Sequence, residues 1–151
     1  MTNGEWRMDA SIDQQDAADA MKARTKRFAL NVIELVESLP KTLASRTIAA
    51  QLVRSATSIG ANYRAACRAR SRAEFVAKMG IVEEEADETV YWLELLAETG
   101  IKRDDLIVEL TREASELVAI AVASKRTARR NLRRDRVSQD HNRHSKIGNR
   151  Q

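Results

Sequence analysis

The chain has 151 residues, the size of one domain. Such a domain buries roughly two-thirds of its unfolded surface and needs no disulfide or metal to fold. Its single cysteine, Cys67, excludes an internal disulfide and fits a reduced, cytoplasmic setting. No apolar run approaches the roughly 20 residues needed to span a membrane, and no basic start followed by an apolar stretch marks a signal peptide. The formal charge of +4 is uneven. Ten Lys or Arg and two Asp lie between Lys125 and Gln151, a net of +8, while the preceding residues carry sixteen basic and twenty acidic groups, a net of −4.

With only 5 Gly and 1 Pro, and with Ala, Leu, Glu and Arg abundant, the composition favours helices over a sheet with many tight turns. Residues 1–20 are polar with little periodicity and read as an arm, flexible or partly helical. The first clear helix spans about 21–38, because Phe28, Val32, Leu35 and Leu39 recur at steps of four, three and four. Pro40 ends it, since the residue before a proline is pushed out of helical geometry. A second helix over about 42–69 places Ile48, Leu52, Ile59 and Tyr63 on one face, with Ser55 and Ala56 as small members. Gly60, alone inside it, suits a close helix approach.

Ser71 to Glu74 has the pattern of a capping box, in which the Ser hydroxyl and the Glu carboxylate satisfy backbone donors at a helix start. A third helix then runs to about Thr99, with Phe75, Met79, Val82, Ala86, Val90, Leu93 and Ala97 as its stripe. Gly100 suits the left-handed position after a helix end. Asp104 or Asp105 opens a fourth helix, where a negative charge favours the positive end of the macrodipole. Leu106, Leu110, Ala114, Leu117 and Ala121 make its core stripe. The helix is expected to end near Arg130, leaving 131–151 as a basic, disordered tail. Four helices with short connections predict an all-α, antiparallel up-down bundle over 21–130.

Charge separates the middle helices. Seven basic residues and no acidic one lie from Lys41 to Arg72, and eight acidic residues with only Lys78 lie from Glu74 to Glu98. Arg64, Arg68 and Arg72 follow steps of four and would repel one another on a shared face. Two accounts remain open at the level of sequence. Either Glu83, Glu84, Glu85, Asp87 and Glu88 compensate these arginines, within or between subunits, or Arg64, Arg68, Arg70 and Arg72 bind phosphate, for which the planar guanidinium is suited. The cluster Lys125, Arg126, Arg129, Arg130, Arg133, Arg134 and Arg136 contains only Asp135 as a counter-charge. It reads equally as a solvated tail or as a contact for RNA or DNA. Few aromatics lie nearby, so base stacking is not indicated.

Adjacent Tyr91 and Trp92 point about 100° apart on a helix and cannot both face one core. Ile107, Val118 and Val122 form a second apolar stripe on the fourth helix. Both features predict a subunit interface. No catalytic constellation stands out. A di-iron bundle needs Glu-x-x-His pairs on two helices, whereas the two histidines, His141 and His144, lie in the tail. Cys67 has arginines nearby but no partner base in the bundle, and reads as a small buried residue. The chain is therefore expected to be no enzyme and to hold no cofactor.

The run Gln51-Leu-Val-Arg-Ser-Ala-Thr-Ser-Ile-Gly-Ala-Asn62-Tyr-Arg-Ala-Ala-Cys-Arg-Ala-Arg70-Ser-Arg-Ala-Glu-Phe75 resembles the four-helix-bundle family encoded in bacterial ribosomal intervening sequences. The stretch from Lys78 to Leu96 continues the likeness, which covers about 24–125. Many members carry an acidic residue and a glycine where this chain has Ala65 and Ala66. The resemblance implies an up-down bundle assembled into a homo-oligomeric ring, typically of five subunits. Relatives in diversity-generating retroelements act as accessory proteins that bind nucleic acid and a reverse transcriptase. The expected function is thus a non-catalytic, homo-oligomeric module binding RNA or DNA through arginine-rich surfaces. The alternative is a protein-interaction scaffold or accessory subunit without nucleic acid.

Overall fold

The structure is a computed structural model that describes the backbone of residues 5–148 and the side chains of residues 13–138. It consists of α1 (Glu5–Glu37), α2 (Leu43–Cys67), α3 (Arg72–Thr99) and α4 (Asp105–Gly148), with no strand among the described residues. The helices form an antiparallel bundle in which α3 packs on both α2 and α4, and α1 lies against α2 and α4.

The helix ends follow from local chemistry. At the close of α1 the Ser38 and Leu39 amides donate to the Leu35 and Val36 carbonyls at 3.1 and 3.2 Å, tightening the last turn before Pro40. Thr42 caps α2, its hydroxyl accepting from the Ser45 amide at 3.2 Å. Ser71 caps α3. Its Oγ accepts from the Glu74 amide at 3.0 Å, and the Glu74 carboxylate reaches back to the Arg70 amide at 2.8 Å. Gly100 ends α3 with φ +64°, a left-handed conformation that a Cβ disfavours. Asp104 starts α4 by accepting from the Leu106 amide at 3.0 Å.

The core is a single column of aliphatic side chains. Phe28, Val32, Leu35 and Leu39 of α1 meet Ile48, Leu52, Ala56 and Ile59 of α2, Met79, Val82, Ala86, Leu93 and Leu96 of α3, and Leu110, Ala114, Leu117 and Ala121 of α4. Most residues of the stripes read from the sequence are buried, but Ala97 of α3 is exposed while Leu96 takes its place in the core, and Tyr63, Phe75, Val90 and Leu106 are half-buried at its edge. Buried hydroxyls sit among them, each with a partner. Thr89 of α3 donates to Ser55 of α2 at 2.9 Å, and Thr25 of α1 donates to its own Met21 carbonyl at 3.0 Å. A Cβ added at Gly60 would lie 3.3 Å from Thr25 Oγ1, so the glycine lets α1 and α2 approach at this level.

Several expectations need correction. The first helix begins at Glu5 and not near residue 21, which fits the helical of the two readings of the N-terminal arm, although the side chains before residue 13 lie outside the described residues. Residues 131–148 continue α4 where a disordered tail was expected. Polarity signalled disorder there, but no Gly or Pro interrupts 105–147, and Arg, Ala and Gln are good helix formers. An ion pair between Arg72 of α3 and Asp135, at 2.5 Å, also ties this extension to the bundle. Ile107 was expected at a subunit interface, yet it is 2% exposed and belongs to the core. Cys67 was expected to be buried but is exposed as the last residue of α2.

Candidate nucleic-acid interface on the fourth helix

Along one side of α4 the side chains of Lys125, Arg126, Arg129, Arg130, Arg133 and Arg134 line a shallow groove of about 590 Å³, together with Val122 and with Glu83 of α3. The helical repeat makes the arrangement. Steps of three and four residues return a side chain to the same face, so the pairs 125–126, 129–130 and 133–134 follow one another along the axis. From Lys125 to Arg134 the array extends about 14 Å at 1.5 Å per residue.

The groove is unevenly neutralised. Glu83 pairs with Lys125, whose side chain is largely buried. Asp135, the acidic residue within the tail cluster, pairs with Arg72 instead. Arg126, Arg129, Arg130, Arg133 and Arg134 have no carboxylate within 4 Å among the described residues. Five guanidinium groups thus face solvent together.

The arginines of the second helix divide into two groups. Arg54 is held by Glu88 and lies 3.9 Å from Glu85, so compensation by α3 holds for this position. Burial pushes the Glu85 carboxyl up, against the pull of Arg54, while nearby Glu88 and Glu84 add to the rise. Glu88 moves the other way, held down by the Trp92 indole N–H at 3.1 Å and by Arg54. Arg64, Arg68 and Arg70 are exposed and have no carboxylate within 4 Å among the described residues. They do not share one helical face with Arg72. Helix α2 stops at Cys67, Arg68 is its C-cap, and Arg72 is the first residue of α3. These arginines cluster around the α2–α3 turn, and the Arg72–Asp135 pair brings α4 to the same end of the bundle.

The expected interface residues also separate. Tyr91 is 56% exposed, whereas Trp92 packs against the core and donates to Glu88. Their rings meet edge to face at 5.0 Å. Val118 is half-buried against the core, and Val122 is half-buried in the wall of the basic groove. Val108, 69% exposed on α4, escaped the sequence analysis because its neighbours on that face, Thr111, Arg112 and Ser115, are polar. A clamp between α1 and α4 escaped it too. Arg24 donates from Nε to Glu113 at 2.5 Å, and from Nη2 to Glu113 at 2.8 Å and Glu116 at 2.6 Å. The arginine holds the Glu113 carboxyl below its ordinary range. No sequence signal marks this pair, because its members lie 89 positions apart.

No group of three metal-binding side chains occurs among the described residues, and His141 and His144 lie outside them. Burial, and then the neighbouring Cys67, push the Tyr63 phenol up. No helix among the described residues is long and apolar enough to cross a membrane.

Residues 20–123 match the family described as 23S rRNA-intervening sequence protein. Among solved structures, the chain is similar to a protein of unknown function from the S23 ribosomal protein family of Bacteroides thetaiotaomicron. The two share 32% identity with a TM-score of 0.66, over 72% of this chain and 97% of that one. No curated protein matches. The family match stops before Lys125, so the basic residues of the groove lie outside it, whereas Glu83 and Val122 lie within it. The chain belongs to the 23S rRNA-intervening sequence protein family.

Proposed function

We propose that this protein is a non-catalytic, homo-oligomeric module that binds the phosphate backbone of RNA or DNA through the α4 groove. The observation that carries the proposal is the set of five arginines on one helical face with no carboxylate within 4 Å among the described residues. Guanidinium groups bind phosphate oxygens in bidentate fashion. The groove wall contains no aromatic side chain, so contacts fall on phosphates and not on stacked bases. Binding of this kind positions a nucleic acid without reading its sequence. Arg64, Arg68 and Arg70, exposed near the same end of the bundle, supply a second contact. The family resemblance adds a ring of five subunits and a reverse transcriptase as a possible partner.

The test is fluorescence anisotropy with labelled RNA and DNA duplexes over a salt series. Five phosphate contacts give a slope of log affinity against log salt of about −4 to −5 on a B-form duplex. Replacing Arg126, Arg129, Arg130, Arg133 and Arg134 by Gln flattens that slope and weakens binding across sequences. Unchanged binding in that variant, with loss on replacing Arg64, Arg68 and Arg70, moves the site to the α2–α3 turn. No binding by the wild-type chain at low salt sinks the proposal.

A protein-interaction scaffold is the second reading. Exposed Tyr91 and Val108 favour it, as large apolar side chains that the chain leaves uncovered. Purification with a specific protein and without nucleic acid would put this reading ahead.

A further inference from the structure

The basic residues of α4 form an arc and not a flat strip. At about 100° per residue, Arg129, Arg133, Arg126, Arg130 and Arg134 stand at about 40°, 80°, 100°, 140° and 180° around the helix axis from Lys125. The helix is anchored by its other side. Ala121 is buried, and Ala128 and Leu132 are half-buried, at about 300–340° on the same scale. Ser124 and Asn131, at about 240–260°, line one cleft with Arg72 and Phe75 of α3. Asp135, at about 280°, pairs with Arg72. The anchored side is therefore centred near about 290°, opposite the middle of the arginine arc at about 110°.

The arginines thus crown the side of α4 that projects farthest from the bundle. All five are exposed, whereas Lys125, at the edge of the arc, is half-buried beside Glu83. From Arg133 to Ser138 every side chain is exposed, which adds Arg136 at about 20° to the flank of Arg129. Arg130 and Arg134 make the opposite flank. Arg126 and Arg133 lie between the two, on side chains long enough to turn to either.

A half-cylinder of this shape selects among nucleic acids. A helix with its side chains is about 10–12 Å across, so the exposed half of α4 projects about 5–6 Å from its axis. The major groove of B-form DNA, about 12 Å wide and about 8.5 Å deep, accepts that half before α3 behind it meets the groove walls. The major groove of an A-form RNA duplex is too deep and narrow for side chains to reach into, and a helix backed by α3 has no means of burrowing further. Two flanks that face opposite ways match the two strands that border a groove, whereas a path along one strand needs a single row.

We infer that the ligand of this surface is B-form duplex DNA, with α4 seated in the major groove. Arg129 and Arg136 hold phosphates of one bordering strand, and Arg130 and Arg134 hold phosphates of the other. The inference rests on the phosphate-binding reading of α4 and narrows it to one ligand. Contacts to both backbones fix the depth and orientation of the helix without reading bases.

Fluorescence anisotropy with the full chain tests it, using labelled duplexes of one sequence and length. They are DNA, RNA, and DNA whose cytosines are glucosylated 5-hydroxymethylcytosine, so that sugars fill the major groove. Plain DNA is expected to bind about tenfold tighter than either of the others at the same salt. RNA or glucosylated DNA bound as tightly as plain DNA overturns the inference and leaves the phosphate-binding reading in place. No binding to any of the duplexes sinks both. Two double variants test the flanks. Arg129→Gln with Arg136→Gln, and Arg130→Gln with Arg134→Gln, are each expected to flatten the slope of log affinity against log salt on plain DNA by about 2. All four side chains are exposed and outside any ion pair among the described residues, so neither variant disturbs the fold. A loss confined to one variant shows that a single strand is contacted, and overturns the seating in the groove.

Discussion

At the scale of single residues, the informative positions are polar groups with identified partners. Thr89 and Ser55 join α3 to α2 inside an otherwise aliphatic core. Thr89→Val removes that bond while keeping the shape, and is expected to lower stability by about 1 kcal/mol in urea denaturation. The Arg24 clamp ties α1 to α4 and depresses the Glu113 carboxyl. A carboxyl whose folded value lies below its unfolded one stabilises the fold above the unfolded value, about 4.3 for Glu, and that stability is lost as pH falls through the folded value. The urea midpoint is therefore expected to fall as pH drops below about 4.3. In Arg24→Gln the fall should be shallower, because the largest cause of the Glu113 depression is then gone. An equally steep fall would show that the clamp contributes nothing to acid sensitivity. Burial raises Glu85, so its ionised form is a cost to the fold that protonation relieves, which partly offsets the acid effect.

At the scale of the helix, two glycines behave differently because their surroundings differ. Gly80 lies in the interior of α3 with open space where a Cβ would go. Gly80→Ala is expected to stabilise by about 0.8–1 kcal/mol through helix propensity alone. Gly60→Ala gains the same propensity but presses a methyl on Thr25, which is buried and hydrogen-bonded. Its melting temperature is expected to fall below that of Gly80→Ala, and a reversed order would refute the close α1–α2 contact as the reason for glycine. Ser71→Ala is expected to cost about 1 kcal/mol by orphaning the Glu74 amide. These caps and stripes were legible in the sequence because they act within four residues of one another. The capping box at Ser71–Glu74, the stop at Pro40 and the left-handed Gly100 needed no tertiary information. The length of α4 was not legible, since polarity after Arg130 suits a disordered tail and an exposed helix equally.

At the scale of the whole molecule, the fold sorts charges that the sequence only counts. Arginine-rich α2 and glutamate-rich α3 suggested broad compensation, yet the pairing that forms is Arg54 with Glu88 and Glu85. Arg72 is neutralised from the far end of the chain by Asp135, and Lys125 by Glu83. What remains is a block of uncompensated arginine on α4 and another at the α2–α3 turn. A chain with the α4 block replaced by Gln is expected to lose salt-sensitive nucleic-acid binding while keeping its melting temperature within about 1–2 °C, because exposed charges contribute little to stability. A large drop in melting temperature would mean that the block is structural.

By itself, the sequence determined the helical class, four helices, most of their ends, their core stripes and a basic C-terminal segment. All of these rest on interactions between near neighbours or on composition. Only the tertiary structure decided that Ile107 faces the core, that Tyr91 and not Trp92 faces outward, and that Arg24 clamps α4. It also decided which arginines keep their charge uncompensated. The reason is physical. A helix repeats every 3.6 residues and so displays its own faces in the sequence, but which face meets which partner depends on how distant helices rotate and pack. An ion pair across 63 or 89 positions leaves no local trace.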